Sequence, residues 1–435
     1  MILNKRIVRN DTINVSPVIS FVVVIYIFTT WCSISSSLLP GAFTAIIPIF
    51  VLLGLITMCP RIILSNKTFI WGVIYVIMLF VITRFHNVML GYRSGGTDTW
   101  LIETAFLLPS LALSAVLYQY HGSRVPNLIF WAFVVSFAIS FIFIGPTLVF
   151  HRDMARFLTV VPANNLNLED QALKSGLWGY VGFHAIALCF VLYWGLYKYS
   201  SGKTKIISLL ISLAILFIVA QIAITTTFLY IIFVIIVLMY MRWKNNFVVI
   251  FGLVLIGLTI VVLNAQEVLQ WLLDVYKGSD MEPKIRDFID IVGGGTKRHG
   301  TIEGRVDYQQ QNIDAFLDTP IFGQTMVKGT GGHSSILTRF AGGGLICGIP
   351  YLMMIISLFL QWYKLLPKFT RPYYILTWIG AALLLYNKGL FGQEGFSVIA
   401  VILPATLLLY RQKAVSYFHK ECQDKSISQV KNRNR

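Results

Sequence analysis

The chain has 435 residues, 56 % of them hydrophobic and only 12 % charged, with a mean hydropathy of +0.72. This composition excludes a soluble globular domain, and apolar runs near the roughly 20 residues that cross a bilayer recur throughout. The net charge of +16 fits the Lys and Arg that collect in cytoplasmic loops of membrane proteins; no nucleic-acid module accompanies it. The expected fold is all-α, a polytopic integral membrane protein, because helices satisfy their own backbone in lipid. The runs lack the alternation of a membrane barrel.

About twelve spans are expected, near 17–33, 41–59, 68–83, 100–119, 127–150 and 176–197, then two within 206–241. That last stretch is too long for one helix and divides at Thr225, Thr226 and Thr227. A ninth span is expected near 247–263, and the last three near 343–363, 373–389 and 395–410. Lys5, Arg6 and Arg9 precede the first run, which is long and has no small-residue cleavage site after it, so it reads as a span and not a signal peptide. The five cysteines are scattered, with no zinc or disulfide spacing.

Charge tests this count. With a cytoplasmic start, one side receives Arg61, Lys67, Arg124, Lys198, Lys203, Lys205, Arg242, Lys244, Lys364, Lys368, Arg371 and the basic tail 411–435. The opposite connections at 34–40 and 224–227 carry no basic residue, so both termini are expected inside. The resulting division is spans one to nine in 1–263, a large external loop 264–342, spans ten to twelve in 343–410, and the tail.

The external loops are rich in arginine. Arg152 and Arg156 stand in one of them, and Arg286, Arg305 and Arg339 in the largest, which holds eight Lys/Arg against ten Asp/Glu. Many of these charges are solvated and paired. Arginines at a membrane face also suit bidentate contacts to phosphate or diphosphate. Within the large loop, 283–292 is expected to be helical, with Ile285, Phe288, Ile289 and Val292 on one face and Arg286 paired with Asp290. The Gly-rich segment 293–300 lacks phosphate-loop spacing and reads as a flap. A second helix is expected over 303–317, with Val306, Ile313, Phe316 and Leu317 inward and Arg305, Gln309 and Asn312 along another stripe. Pro320 and Gly323 end it.

His333 follows Gly329, Gly331 and Gly332 and begins a short helix towards the membrane. It is the histidine best set to act as a general base on a hydroxyl; the plainer role is a helix-capping loop residue. His86, His121, His151, His184 and His299 have no comparable polar setting, and His419 lies in the tail. Asp280 and Glu282 form the only acid-x-acid pair, with no histidine nearby, so no metal site is expected. No zincin motif, serine elbow or nucleotide fingerprint occurs.

An Arg-headed polar helix, then Pro-Ile-Phe-Gly at 320–323, then Gly-Gly-His-Ser-Ser at 331–335, then a Gly-rich start to a span together resemble the O-antigen ligase/polymerase superfamily. Its members are polytopic glycosyltransferases of the bacterial inner membrane with a large periplasmic loop between late spans. The resemblance implies transfer of a glycan from an undecaprenyl-diphosphate-linked oligosaccharide to an acceptor hydroxyl outside the membrane, without metal or cofactor. By matching position His333 would be the family's loop histidine, acting as base, and Arg305 its loop arginine. Arginines would stabilise the departing diphosphate, with Arg152, Arg156, Arg286, Arg339 and Gln309 as substrate-binding candidates. Direct displacement would invert the anomeric centre. Membrane lipid and a chain-length regulator protein are the partners implied.

Two departures bear on the subfamily. Ser334 stands where ligases commonly have Asn, which favours a polymerase over a ligase acting on lipid A-core. The paired Arg-x10-Gly loops of some polymerases are absent from Arg152, Arg156, Arg286 and Arg305, so Arg152 and Arg156 are assigned by placement alone. The rival of a different class is a lipid-linked oligosaccharide flippase. That should show paired halves and broken or polar helices at mid-membrane, whereas this chain concentrates its polar residues in one late loop.

Overall fold

Apolar runs of this length fold as helices, and among the described residues the computed structural model contains no strand. It describes residues 16–32, 41–89, 99–122, 124–150, 180–200, 202–222, 225–242, 265–275, 301–324, 334–387 and 393–409, with 277, 282, 285, 286 and 289 between them. In chain order the helices are α1 (Pro17–Trp31), α2 (Gly41–Met58), α3 (Pro60–Leu64), α4 (Lys67–Met89), α5 (Thr99–Gln119), α6 (Val125–Phe150) and α7 (Tyr180–Tyr199). They continue as α8 (Gly202–Ile222), α9 (Thr225–Arg242), α10 (Ala265–Val275), α11 (Thr301–Asp318), α12 (Ser335–Leu365), α13 (Arg371–Asn387) and α14 (Gln393–Ser397), which runs on through a π-helical turn at Val398–Ile402.

Four of these are long and apolar enough to cross a membrane: Lys67–His86, Val125–Pro146, Gly202–Gln221 and Ser335–Leu365. Shorter apolar helices fall at most other expected positions; α8 ends at Ile222 and α9 starts at Thr225, so the Thr run expected as the connection is the first turn of α9. The expected ninth span and the 293–300 flap lie outside the described residues. Residues 265–275, expected as loop, form the amphipathic helix α10, with Trp271 exposed.

Helix starts follow local chemistry. Ser16 accepts from the Val18 amide ahead of Pro17, and the Asn66 carbonyl oxygen accepts from the Phe69 amide at the head of α4; both satisfy amides that a helix leaves orphaned. Packing is closest between α4 and α12, with α5 beside α4, α13 beside α12 and α11 across the start of α12. A second group joins α7 to α8 and α13, and α1 packs on α6.

Large rings fill the interior: Trp31, Tyr75, Phe133, Tyr193, Tyr351 and Trp362 are fully buried. The two indole N–H groups are tied to hydroxyls: Trp31 Nε1 donates to Ser397 Oγ at 2.9 Å and Trp362 Nε1 to Ser114 Oγ at 3.0 Å. The exterior is apolar, with Phe21, Phe50, Ile142 and Leu229 more than half exposed, as a lipid-facing surface requires.

Candidate functional site

The Gly-rich start of the late span is where the backbone departs from regularity. Gly344 adopts φ 57°, ψ −156° inside α12, a conformation essentially confined to glycine. The break strands backbone groups on either side of it, and the chain just after α11 satisfies them. The Leu345 N–H donates to the Pro320 carbonyl at 2.8 Å and the Ile346 N–H to the Ile321 carbonyl at 3.4 Å, while the Gln324 N–H donates to the Ala341 carbonyl at 2.8 Å. Residues 320–324 are therefore a strap laid backbone to backbone across the break. Gly323, at φ 71°, leaves room for this approach: a β-carbon there would sit 2.5 Å from the Gly344 nitrogen.

The end of α4 holds the strap from the other side. Phe85 stacks on Phe322 at 5.2 Å, and the buried His86 ring hydrogen-bonds the Gly323 backbone. Because α12 is bent at Gly344, the Phe340 ring lies against Gly348, whereas a straight helix would hold residues eight apart about 12 Å from each other. The first half of α12 is thereby turned so that Arg339 is buried in the bundle, 5 % exposed. Its guanidinium lies 5.9 Å from the Tyr75 ring centroid, within cation–π range. Tyr75 in turn packs on Tyr351 at 5.1 Å.

Of the expected inward residues of α11 whose side chains are described, only Phe316 faces α12. Ile313 and Leu317 are exposed, and Asn312 and Ala315 are buried, with Phe316 meeting Phe340 edge-on at 5.7 Å. Gln309 is half-buried, and the position of Arg305 shares the Gln309–Asn312 face by helical register. Asn312 of the polar stripe is thus on the inner side with Ala315 and Phe316. Apolar period alone does not fix the packed face, because the bonds of the 320–324 strap tie the end of α11 to the break in α12.

Arg339 is the expected site arginine drawn deepest into this arrangement. Ser334, the N-cap of α12, is fully buried and accepts from the Leu337 amide at 3.3 Å. His333, the residue before it, lies outside the described residues, as do Arg152 and Arg156. Arg286 bonds Glu282 at 2.7 Å and is exposed; the expected partner Asp290 lies outside the described residues. A side-chain pair one turn back competes equally well on a helix, and at the surface it contributes little. The 342/343 boundary expected between loop and span falls inside α12, at its break.

The chain matches no protein-family model and no curated protein. What can be said of its chemistry comes from the residues themselves. The buried Arg339 guanidinium offers donors to an anionic, oxygen-rich group.

Three histidines set aside on sequence have polar partners after all, His121 through Nδ1 to the Tyr118 carbonyl at 2.8 Å. His86 anchors the strap, and His184, buried in α7, lies 2.5 Å through Nδ1 from the Thr227 hydroxyl of α9. The Thr225 run opposite a histidine within a span was the available signal, since ionisable residues inside a bundle are rarely without purpose.

A cation held inside a bundle is costly to fold around. The variant Arg339→Met is therefore expected to melt within about 1 kcal/mol of the parent, or above it, in a thermal unfolding assay of detergent-solubilised protein. A loss of several kcal/mol would make Arg339 a structural keystone instead of a binding group.

Proposed function

We propose that this chain is an O-antigen polymerase of the Wzy type. It would join undecaprenyl-diphosphate-linked oligosaccharide repeats at the periplasmic face of a bacterial inner membrane, with about twelve spans and both termini cytoplasmic. The observation that carries the reading is Arg339, a guanidinium buried where the bent start of α12 meets α4, with α11 packed on the same half-helix through Phe316 and Phe340. Loss of a lipid diphosphate leaves two negative charges to be stabilised, and a preorganised guanidinium does this without a metal. Arg305 and Gln309 would extend the same contact, and His333, one residue before the cap of α12, would take the proton of the acceptor hydroxyl. Arg152, Arg156 and Arg286 are secondary candidates for the oligosaccharide or diphosphate, and a chain-length regulator is the protein partner this activity calls for.

A second reading, a flippase for the same lipid-linked oligosaccharide, gains from the break in α12, because discontinuous helices at a binding site are a transporter feature. A ligase acting on lipid A-core shares the polymerase chemistry. A lipopolysaccharide gel of the source strain with this gene deleted separates the three. Core plus a single repeat, with the ladder gone, is the result expected of a polymerase. Core alone with lipid-linked polymer accumulating would make the protein a ligase, and core alone with only lipid-linked single repeats would make it a flippase. An unchanged gel would overturn all three for this glycan.

A further inference from the structure

At the end of the bundle opposite the strap, α3, the head of α4 and the tail of α5 leave a half-open cleft of about 260 Å³. It is lined by Arg61, Ser65, Asn66, Tyr118 and Gln119, with Ile62 and Ala115 as its apolar wall. Every polar group in this lining can donate a hydrogen bond, and none is a carboxylate. Asn66 is held in place from behind: its Nδ2 donates to Gln361 Oε1 at 3.1 Å, and Thr68 Oγ1 donates to the same oxygen at 2.9 Å. The Nε2 of Gln361 is itself buried with no hydrogen-bond partner among the described residues.

The sequence gives the cleft an unusually one-signed setting. The described residues at the cleft come from 60–89, 104–119 and 335–365, and these stretches contain no Asp or Glu. A guanidinium among amide and hydroxyl donors, in a cleft whose described lining holds no acid at the end of a helical bundle, calls for an anion with several acceptor oxygens.

We propose that this cleft binds a phosphate ester through Arg61, Asn66 and Tyr118. The ester is carried either by an anionic lipid headgroup or by a soluble glycerol phosphate. The site is separate from the break in α12 and does not depend on the polymerase reading.

Native mass spectrometry of the detergent-purified full chain tests it, with phosphatidylglycerol, phosphatidylcholine and glycerol 1-phosphate as probes. The parent is expected to retain phosphatidylglycerol over phosphatidylcholine, and Arg61→Gln to weaken that retention about fivefold. Lys368→Gln, an exposed lysine beyond the cleft on the same end, is expected to leave it unchanged. Arg61-dependent retention of glycerol 1-phosphate without phosphatidylglycerol would assign the same phosphate chemistry to a soluble ester. Equal retention of both lipids with no glycerol 1-phosphate bound, no effect of Arg61→Gln, or an equal loss in Lys368→Gln would overturn the proposal. Parent-like gel-filtration elution and melting of Arg61→Gln are the check that its loss is local.

Discussion

His333→Ala is expected to abolish polymer on a lipopolysaccharide gel while the protein stays in the membrane at its normal level. On the proposed mechanism His333 removes the acceptor proton, a contribution of about 10²–10⁴ in rate, enough to erase a ladder that needs many successive transfers. A structural role for the same residue predicts something different. His333 adjoins Ser334, whose hydroxyl caps α12, and losing a cap costs about 1 kcal/mol. Ser334→Ala therefore supplies the comparison: it should lower the melting temperature and keep a ladder, whereas His333→Ala should keep the melting temperature and lose the ladder. A normal ladder from His333→Ala would remove it from the mechanism.

The second large effect is expected at Gly344. Alanine there must adopt φ 57°, ψ −156°, and its β-carbon would run into the Ile321 carbonyl. Backbone strain of about 1–3 kcal/mol adds to overpacking of similar size, and the obstacle is backbone that cannot swing away. We expect a loss of about 3 kcal/mol or more in thermal unfolding, with the strap displaced. Gly54→Ala is the control, since its β-carbon would meet only the Met58 methyl at an ordinary 3.7 Å; that change should be neutral or slightly stabilising. Equal melting of the two variants would mean that the break in α12 tolerates a side chain.

Much of the helical plan was legible because crossing a bilayer dictates length and apolarity, and those are read directly from runs such as 67–86 and 125–146. That 206–241 holds two helices was legible for the same reason: one span could not use a largely apolar stretch of 36 residues. The Pro320–Gly323 and Gly342–Gly344 stretches were also visible as punctuation. What sequence did not reveal is that they are each other's partners, because the bonds between them join residues some twenty apart through backbone atoms, which carry no residue signature.

The face of α11 was misjudged for a different reason. Apolar periodicity gives a stripe but not its partner, and the strap at the end of α11 leaves Phe316 inward with Ile313 and Leu317 outward. His86 went unrecognised because its partner is the Gly323 backbone, and Arg339 was named as a candidate without any sign that it would be drawn inside.

The strap has a consequence for the residues it encloses. Gln324 is fastened to Ala341, and Ser334 is fixed as the cap of α12, so the nine residues between them are pinned at both ends. Changing such an insert lengthens or shortens a closed loop, whose entropy varies only slowly with length. The frame around it has no need to adjust. An engineer could therefore exchange residues 325–332 for segments of other lengths and compositions while Gln324 and Ser334 keep α11 and α12 in register.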